Sequence, residues 1–302
     1  MKQLVILSGK GGTGKTSLSA ALAELAAAEM RLVMVDADAD AANLALLLDV
    51  HGGKVHDFYG GQVPIIDEKV CLGCGECVDV CRFDALMPGL PPTVLTVACE
   101  GCAACHYACP KQAIRMEPVL GGHWTESESA AGPLFSARLG AGHENSGKLV
   151  SELRRQAARR AKEVDADLIL IDGPPGIGCP VHAAITGADL ALLVTEPSLS
   201  ALHDMERALG TVVGFGIPAL VVLNKTDLSE SLARRVRDFC RERDIPLLRE
   251  IPFLEEIQLA VEQGRPMTHV PHEALQVMLH EIWIALQSVL FDSMTEQLLE
   301  KQ

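Results

Sequence analysis

The sequence predicts an α/β fold built on a mostly parallel, doubly wound sheet, with a small α+β domain inserted into it. Three observations carry this prediction. An apolar strand, Leu4-Val5-Ile6-Leu7, runs through a glycine-rich loop into a helical pattern marked by Leu18, Leu22 and Leu25. Further apolar runs at 31–35, 168–171, 190–195 and 219–223 alternate with helical patterns, the rhythm of βα units around a parallel sheet. Between the second and third apolar runs lie eight of the ten cysteines.

The first element fixes the chemistry. Gly9-x-x-x-x-Gly14-Lys15-Thr16 has the spacing of a phosphate-binding loop, the signature of a P-loop NTPase when strand, loop and helix follow in that order. Gly11, Gly12, Thr13, Gly14, Lys15, Thr16 and Ser17 bring backbone N–H groups and side chains to a polyphosphate at a helix N-terminus. Lys15 reaches the outer phosphates and the Thr16 hydroxyl is placed for Mg²⁺. A second lysine, Lys10, precedes Gly11-Gly12, where most such loops have no fixed charge.

The second strand delivers Asp36-Ala37-Asp38-Ala39-Asp40 to a strand end, where α/β sheets place their ligand crevice. Asp38 is the candidate for the attacking water or the Mg²⁺ shell, and Asp40 is expected to cap a helix starting near Ala41.

After Gly52-Gly53 and Gly60-Gly61, the run Cys71-x-x-Cys74-x-x-Cys77-x-x-x-Cys81 is repeated as Cys99-x-x-Cys102-x-x-Cys105-x-x-x-Cys109-Pro110. This resembles the bacterial ferredoxin run, in which three thiolates bind one 4Fe-4S cluster and the fourth serves the other. The resemblance implies Cys71, Cys74, Cys77 and Cys109 on one cluster, and Cys99, Cys102, Cys105 and Cys81 on the second. Zinc sites use paired C-x-x-C spacing instead. Cys81 departs from the pattern in being followed by Arg82 rather than proline. The ferredoxin-like domain is expected over 61–118, splitting the nucleotide-binding domain into 1–60 and 119–302.

Beyond it, 119–147 reads as a hairpin returning to the main sheet, and Glu144-Asn145-Ser146-Gly147-Lys148 leads into a helix over 149–164. Its Arg154, Arg155, Arg159, Arg160 and Lys162 read as a solvated basic face, with an acidic partner's docking surface as the alternative. The next strand ends in Asp172-Gly173-Pro174-Pro175-Gly176. An aspartate closing four apolar residues is placed to hold Mg²⁺, and Gly176 to offer its N–H to the γ-phosphate in a loop that responds to that phosphate.

A strand at 219–223 ends in Asn224-Lys225-Thr226-Asp227, which suits a purine edge but does not choose between adenine and guanine. Ile251-Pro252-Phe253 adds a last strand, with Pro252 and Phe253 as walls for the base. The closing helix carries Leu275, Leu279, Ile282, Leu286, Val289 and Leu290 as a core-facing stripe, flanked by Glu273, Glu281, Asp292, Glu296 and Glu300.

Together, Lys10 to Thr16, Asp36-Ala37-Asp38, Asp172 to Gly176 and Asn224 resemble the deviant Walker A ATPases of the MinD, Mrp and nitrogenase-iron-protein superfamily. The cysteine repeat resembles the subgroup with an inserted ferredoxin domain. The resemblance implies ATP rather than GTP, roles for Lys15 and Thr16 in binding phosphate and Mg²⁺, and a role for Asp38 in slow, partner-stimulated hydrolysis. It also implies an ATP-dependent homodimer in which Lys10 reaches phosphates bound by the other subunit.

The expected cofactors are thus ATP, Mg²⁺ and two 4Fe-4S clusters. The leading function is nucleotide-gated electron transfer to a redox partner. Cluster or metallocofactor assembly is the alternative, and a non-redox positioning ATPase the weaker third. Cys179, soon after Asp172, reads as a packing residue with a redox role as alternative, and Cys240 as a buried small hydrophobe.

Composition sets the remaining bounds. A chain of 302 residues, 48% hydrophobic, has room for about two domains. A net charge of −14 and 4% aromatic content argue against nucleic-acid partners, and the acidic closing helix against a stable membrane anchor. No apolar run of about 18 residues and no secretory signal are read, so a cytoplasmic location with metal-binding rather than disulfide-bonded cysteines is expected.

Overall fold

The computed structural model describes residues 1–140 and 146–291. The Glu144-Asn145 part of the helix lead-in, and Asp292, Glu296 and Glu300, lie outside the described residues. The chain divides into two compact units. The first comprises Met1–Val55, Trp124–Arg138 and the described residues from Ser146 onward; the second is His56–His123 with Leu139 and Gly140.

In chain order the elements begin with β1 (Lys2–Ser8), α1 (Lys15–Ala27), β2 (Leu32–Asp36), α2 (Leu44–Leu47) and β3 (His51–Phe58). The second unit carries β4 (Gly61–Ile66), α3 (Glu76–Asp79), β5 (Leu86–Met87), β6 (Thr93–Val94), α4 (Ala104–Ala108) and β7 (Ile114–Val119). Next come β8 (Gly122–Ser129), β9 (Gly132–Leu139), α5 (Ser146–Glu163), β10 (Leu168–Pro175), α6 (Cys179–Ile185), β11 (Leu190–Thr195) and α7 (Leu199–Gly214). The chain closes with β12 (Ala219–Asn224), α8 (Glu230–Glu242), β13 (Leu247–Ile251), α9 (Glu255–Glu262) and α10 (Glu273–Phe291).

Among the described residues one nine-stranded sheet has the order β13-β12-β11-β1-β10-β2-β9-β8-β3, and the pairs from β13 through β9 are parallel. Its central strands are apolar on both faces because both are covered: Leu4 to Ile6 and Leu190 to Leu193 are fully buried. Alanines 20, 21, 23 and 26 on α1 are also fully buried. The small side chains let the helix seat closely on the strands that precede and follow the glycine loop.

The register places the chemistry. Ile6 of β1 pairs with Asp172 of β10, and Asp172 with Asp36 of β2, so the two carboxylates stand side by side. β10 runs on to Pro175, three residues past the Asp172 at which the sequence led its end to be expected.

The expected hairpin over 119–147 is β8–β9, joined by two residues. β3 was not legible as a strand: residues 51–55 are exposed and include Gly52-Gly53, so no apolar alternation marks them. The last strand ends at Ile251, leaving Pro252 and Phe253 just beyond it.

The solvated reading of α5 needs correction at Arg154. Its guanidinium caps α6 by donating to the Ala183 and Thr186 carbonyls, and it also reaches Gln3 Oε1 at 2.6 Å. Arg155, Arg159 and Arg160 are paired with Glu152, Glu163 and Glu126.

Helix α10 is long and apolar enough by composition to cross a bilayer, against the expectation that no such stretch exists. Leu275, Leu279, Ile282, Trp283, Leu286 and Leu290 instead put its inner face in the core.

In the second unit β4 pairs with β7 antiparallel, Gly61 opposite Val119, and β5 with β6. The cysteine runs repeat at an offset of 28 residues, and the structure repeats with them: Cys77 lies in α3 and Cys105 in α4. Both thiols pack with Leu86 and Ile114 in one small core.

Candidate functional site

The site forms where β1 hands over to α1. Gly14 has φ +91°, and a Cβ there would lie 2.3 Å from Asn224 Nδ2, so a side chain is excluded by both backbone and space. Asn224, at the end of β12, donates Nδ2–H to the Thr13 carbonyl at 2.9 Å. Lys225 donates from Nζ to the Gly12 carbonyl at 2.7 Å. The loop is therefore tied from a strand two places away in the sheet.

Gly9 makes the second close approach: a Cβ would meet the backbone of Asp204 at 2.3 Å.

Beneath the loop, Lys15 is almost fully buried and its Nζ lies 2.7 Å from Asp172 Oδ1. Thr16 Oγ1 donates to Asp172 Oδ2 at 2.7 Å, and Ser19 Oγ to Oδ1 at 2.7 Å. A fully buried carboxylate with a cation and two hydroxyls around it is well satisfied.

Asp36 is the residue the sequence reading passed over. Burial first, and then the neighbouring Asp172 charge, push its carboxyl up to about 7, against N–H donors from Leu44 and Asp38 and the Lys15 charge. The signal that could have found it was its place directly after the apolar run Leu32 to Val35, as Asp172 follows Leu168 to Ile171. Asp36 also corrects the capping expectation. The helix starts at Leu44, whose N–H Asp36 Oδ2 accepts at 2.9 Å, and Asp38 Oδ1 accepts the Ala41 N–H at 3.2 Å.

Asp38 is half-buried, and burial raises its carboxyl despite the opposing Lys15 charge. It lines a cavity of about 530 Å³ with Gly11, Gly12, Gly14, Lys15, Thr16 and Ser17. Ser8 Oγ on the same wall and Thr13 Oγ1 are buried and find no hydrogen-bond partner among the described residues. Polar atoms orphaned beside a loop of N–H donors fit a phosphate chain. Gly176 differs from expectation, since its N–H is bound to the Ser8 carbonyl at 3.0 Å.

Lys10 is held by its own chain. Its Nζ lies 2.6 Å from Glu196 Oε1 and within reach of Ser198 Oγ and Ser200 Oγ. Lys225 pairs with the other Glu196 oxygen at 3.1 Å. Burial alone would raise the Glu196 carboxyl, but the hydrogen bonds from the two lysines hold it below the usual carboxylate range. Beside the loop a second cavity of about 300 Å³ has Pro252 and Phe253 in its wall with Asn224 and Ser17.

In the second unit, Cys71, Cys74, Cys77 and Cys109 line one cavity, and Cys81, Cys99, Cys102 and Cys105 line another. Gly73 N–H points to Cys71 Sγ at 3.4 Å, Ala85 N–H to Cys81 Sγ at 3.3 Å, and Ala113 N–H to Cys109 Sγ at 3.2 Å. Burial raises the Cys77 and Cys105 thiols. Among the described residues no three His, Cys, Asp or Glu side chains are grouped to hold a metal ion. Cys179 is exposed, which corrects the packing reading, whereas Cys240 is buried and its thiol is pushed up to about 11 by that burial.

Residues 4–267 match the family model of the CobQ/CobB/MinD/ParA nucleotide binding domain. An uncharacterized protein of Methanocaldococcus jannaschii is 36% identical over 228 residues, 75% of this chain and 79% of that protein. The septum site-determining protein MinD of Bacillus subtilis is 25% identical over 305 residues, covering 99% of this chain and 92% of its own length. The solved MinD from Pyrococcus horikoshii, complexed with Mg-ADP, superposes with a TM-score of 0.56 at 22% identity over 95% of this chain and 96% of that one.

These findings correct the function expected from the sequence. Nucleotide-gated electron transfer, and cluster assembly as its alternative, give way because the MinD relatives matched over nearly the whole chain are septum site-determining proteins.

Proposed function

From a chain that belongs to the CobQ/CobB/MinD/ParA nucleotide-binding domain family, a family of P-loop ATPases, we propose a Mg-ATP-dependent switch of the positioning kind. In this reading hydrolysis is slow and partner-stimulated, and nucleotide state governs association with a second copy and a protein partner. The observation that carries it is the Lys15–Thr16–Asp172 cluster beneath a loop whose second lysine, Lys10, is held apart by Glu196. The Mg-ADP bound by the Pyrococcus protein supports the nucleotide and the ion.

Backbone N–H groups from Gly11 to Ser17, at the positive end of α1, face the phosphate chain. Lys15 Nζ, now on Asp172, would turn to phosphate oxygens, and Thr16 and Asp172 would hold Mg²⁺, which would supply positive charge against those oxygens. Asp38, in the same cavity wall, orients the attacking water. Lys10, once free of Glu196, reaches the phosphates of the second copy. Sedimentation with and without ATP tests this: Lys10→Ala should abolish ATP-dependent dimerisation while retaining ATP binding, and Lys15→Ala should weaken binding about tenfold or more. A Lys10→Ala protein that still dimerises with ATP would sink the cross-subunit role.

The cysteine unit has its own cofactor reading. Two 4Fe-4S clusters would be held by Cys71, Cys74, Cys77 and Cys109, and by Cys81, Cys99, Cys102 and Cys105, in a ferredoxin-like insert over 61–118. What supports it is that the two cavities gather these two sets, with backbone N–H groups directed at three of the sulfurs. Cluster ligands attach to different irons and stand farther apart than ligands sharing one ion, so the absence of a single-ion group among the described residues does not count against the fit. Iron and sulfide analysis of anaerobically purified protein should give about eight of each per chain. A value near zero would remove the clusters and leave the nucleotide reading intact.

A further inference from the structure

The two cysteine runs repeat at an offset of 28 residues, so each position of one has a counterpart in the other. Solvent access repeats as well: Cys74 and Cys102 are exposed, and Cys77 and Cys105 are each 8% exposed. Charge does not repeat. The cavity lined by Cys71, Cys74, Cys77 and Cys109 has Leu72 and Lys111 in its wall. The cavity lined by Cys81, Cys99, Cys102 and Cys105 has Glu100 and Phe83 at the equivalent places. Glu76, Asp79, Arg82 and Asp84 are the remaining Asp, Glu, Lys and Arg residues from Cys71 to Ala85 and from Cys99 to Ala113; they are exposed and line neither cavity. Hydrogen bonding departs from the repeat in the same direction. Ala113 N–H to Cys109 Sγ at 3.2 Å has its match in Ala85 N–H to Cys81 Sγ at 3.3 Å, one for each cavity. Gly73 N–H to Cys71 Sγ, at 3.4 Å, adds a further bond at the first cavity and has no counterpart at Cys99 among the described residues.

We propose that Lys111 and Glu100 make the two cluster sites unequal, the site of Cys71, Cys74, Cys77 and Cys109 having the higher reduction potential and that of Cys81, Cys99, Cys102 and Cys105 the lower. The inference rests on the cluster reading given above. One electron taken up at either site adds one negative charge there. A cation in the wall and an N–H directed at a ligand sulfur stabilise that charge, and an anion in the wall opposes it. Lys111 and the Gly73 N–H act in the first way at one site, and Glu100 in the second way at the other. Because both charged residues are exposed, salt screens their contribution.

The test is a potentiometric titration of the anaerobically purified full chain with dithionite, followed by EPR at low and high salt, in the natural sequence, Lys111→Gln and Glu100→Gln. Dithionite supplies one electron to each site and is itself oxidised to sulfite. The natural chain should be reduced in two separate one-electron steps. Lys111→Gln should lower the upper midpoint and leave the lower one in place, whereas Glu100→Gln should raise the lower midpoint and leave the upper. Salt should draw the two midpoints of the natural chain together, a measurement that needs no variant. Iron content is followed in every sample, with about eight per chain expected.

One midpoint shared by both sites at low salt would overturn the proposal with the clusters intact. So would a Lys111→Gln chain in which the lower midpoint moves instead, or a gap indifferent to salt and to both substitutions. Iron near zero in the natural chain would overturn the cluster reading itself, and this inference with it.

Discussion

Glu196 sits between two lysines of opposite purpose. Lys225 anchors the loop at the Gly12 carbonyl, and Lys10 is the loop's free cation, drawn back by the same carboxylate. Because the Glu196 carboxyl is held below its ordinary range, its pairing stabilises the folded chain at neutral pH, and that contribution is lost as pH falls through the lowered value. Glu196→Gln should therefore cost about 1 kcal/mol at pH 7, with the difference from the natural chain closing in acid below the usual glutamate range. The same substitution frees Lys10, so dimerisation should set in at a lower ATP concentration. Denaturant melts at two pH values and an ATP titration followed by light scattering read both effects; equal ATP requirements would show that Glu196 does not restrain Lys10. The loop residues themselves were legible because a contiguous sequence encodes their geometry. Asp36, Glu196 and the clamping role of Lys225 were not. Their partners are supplied by strand register, as in the pairing of Asp172 with Asp36, which no local pattern records.

At the level of elements, the cysteine unit was readable as a repeat down to its turns. Gly73 and Gly101 occupy equivalent positions with φ +66° and +64°. The next pair is Gly75 with φ +84° and Ala103 with φ +63°, each preceding the short helix that carries the third cysteine of its run. Alanine in the left-handed region carries a steric penalty that glycine does not, partly offset by glycine's greater freedom in the unfolded chain. Ala103→Gly should thus stabilise the protein by about 0.5–1 kcal/mol, read as a higher denaturation midpoint with an unchanged slope. A lower midpoint would mean that the alanine methyl contributes packing that outweighs the backbone term. Elsewhere, strong periodicity gave α10 and its inner stripe, though Val289 is only partly buried and Trp283 takes a central place in the core. β3 escaped for the opposite reason, being an exposed strand with neither alternation nor β-branched density apart from Val55.

For the whole molecule, the consequence lies in which unit holds what. The glycine loop, Asp36, Asp38, Asp172, Glu196, Asn224 and Phe253 all belong to the first unit, and so does the parallel run of strands that fixes their register. The cysteines of both runs belong to the second, in which β4 and β7 flank them in sequence. Gly61 and Val119 are direct partners across that antiparallel pair, so the chain returns to within one strand spacing of where it departed. A chain in which residues 62–118 are replaced by a two-residue turn therefore spans no new distance. It should fold and bind ATP within about twofold of the natural protein, since none of the residues that tie the loop is removed. Calorimetric titration with ATP, beside Lys15→Ala in the full chain as the negative control, checks this. Loss of ATP binding in the shortened chain, with its helical circular dichroism retained, would mean that the second unit is part of the nucleotide site. That result would recast the cysteine unit from an insertion into a component of the ATPase, even though every hydrogen bond identified at the loop is made within the first unit.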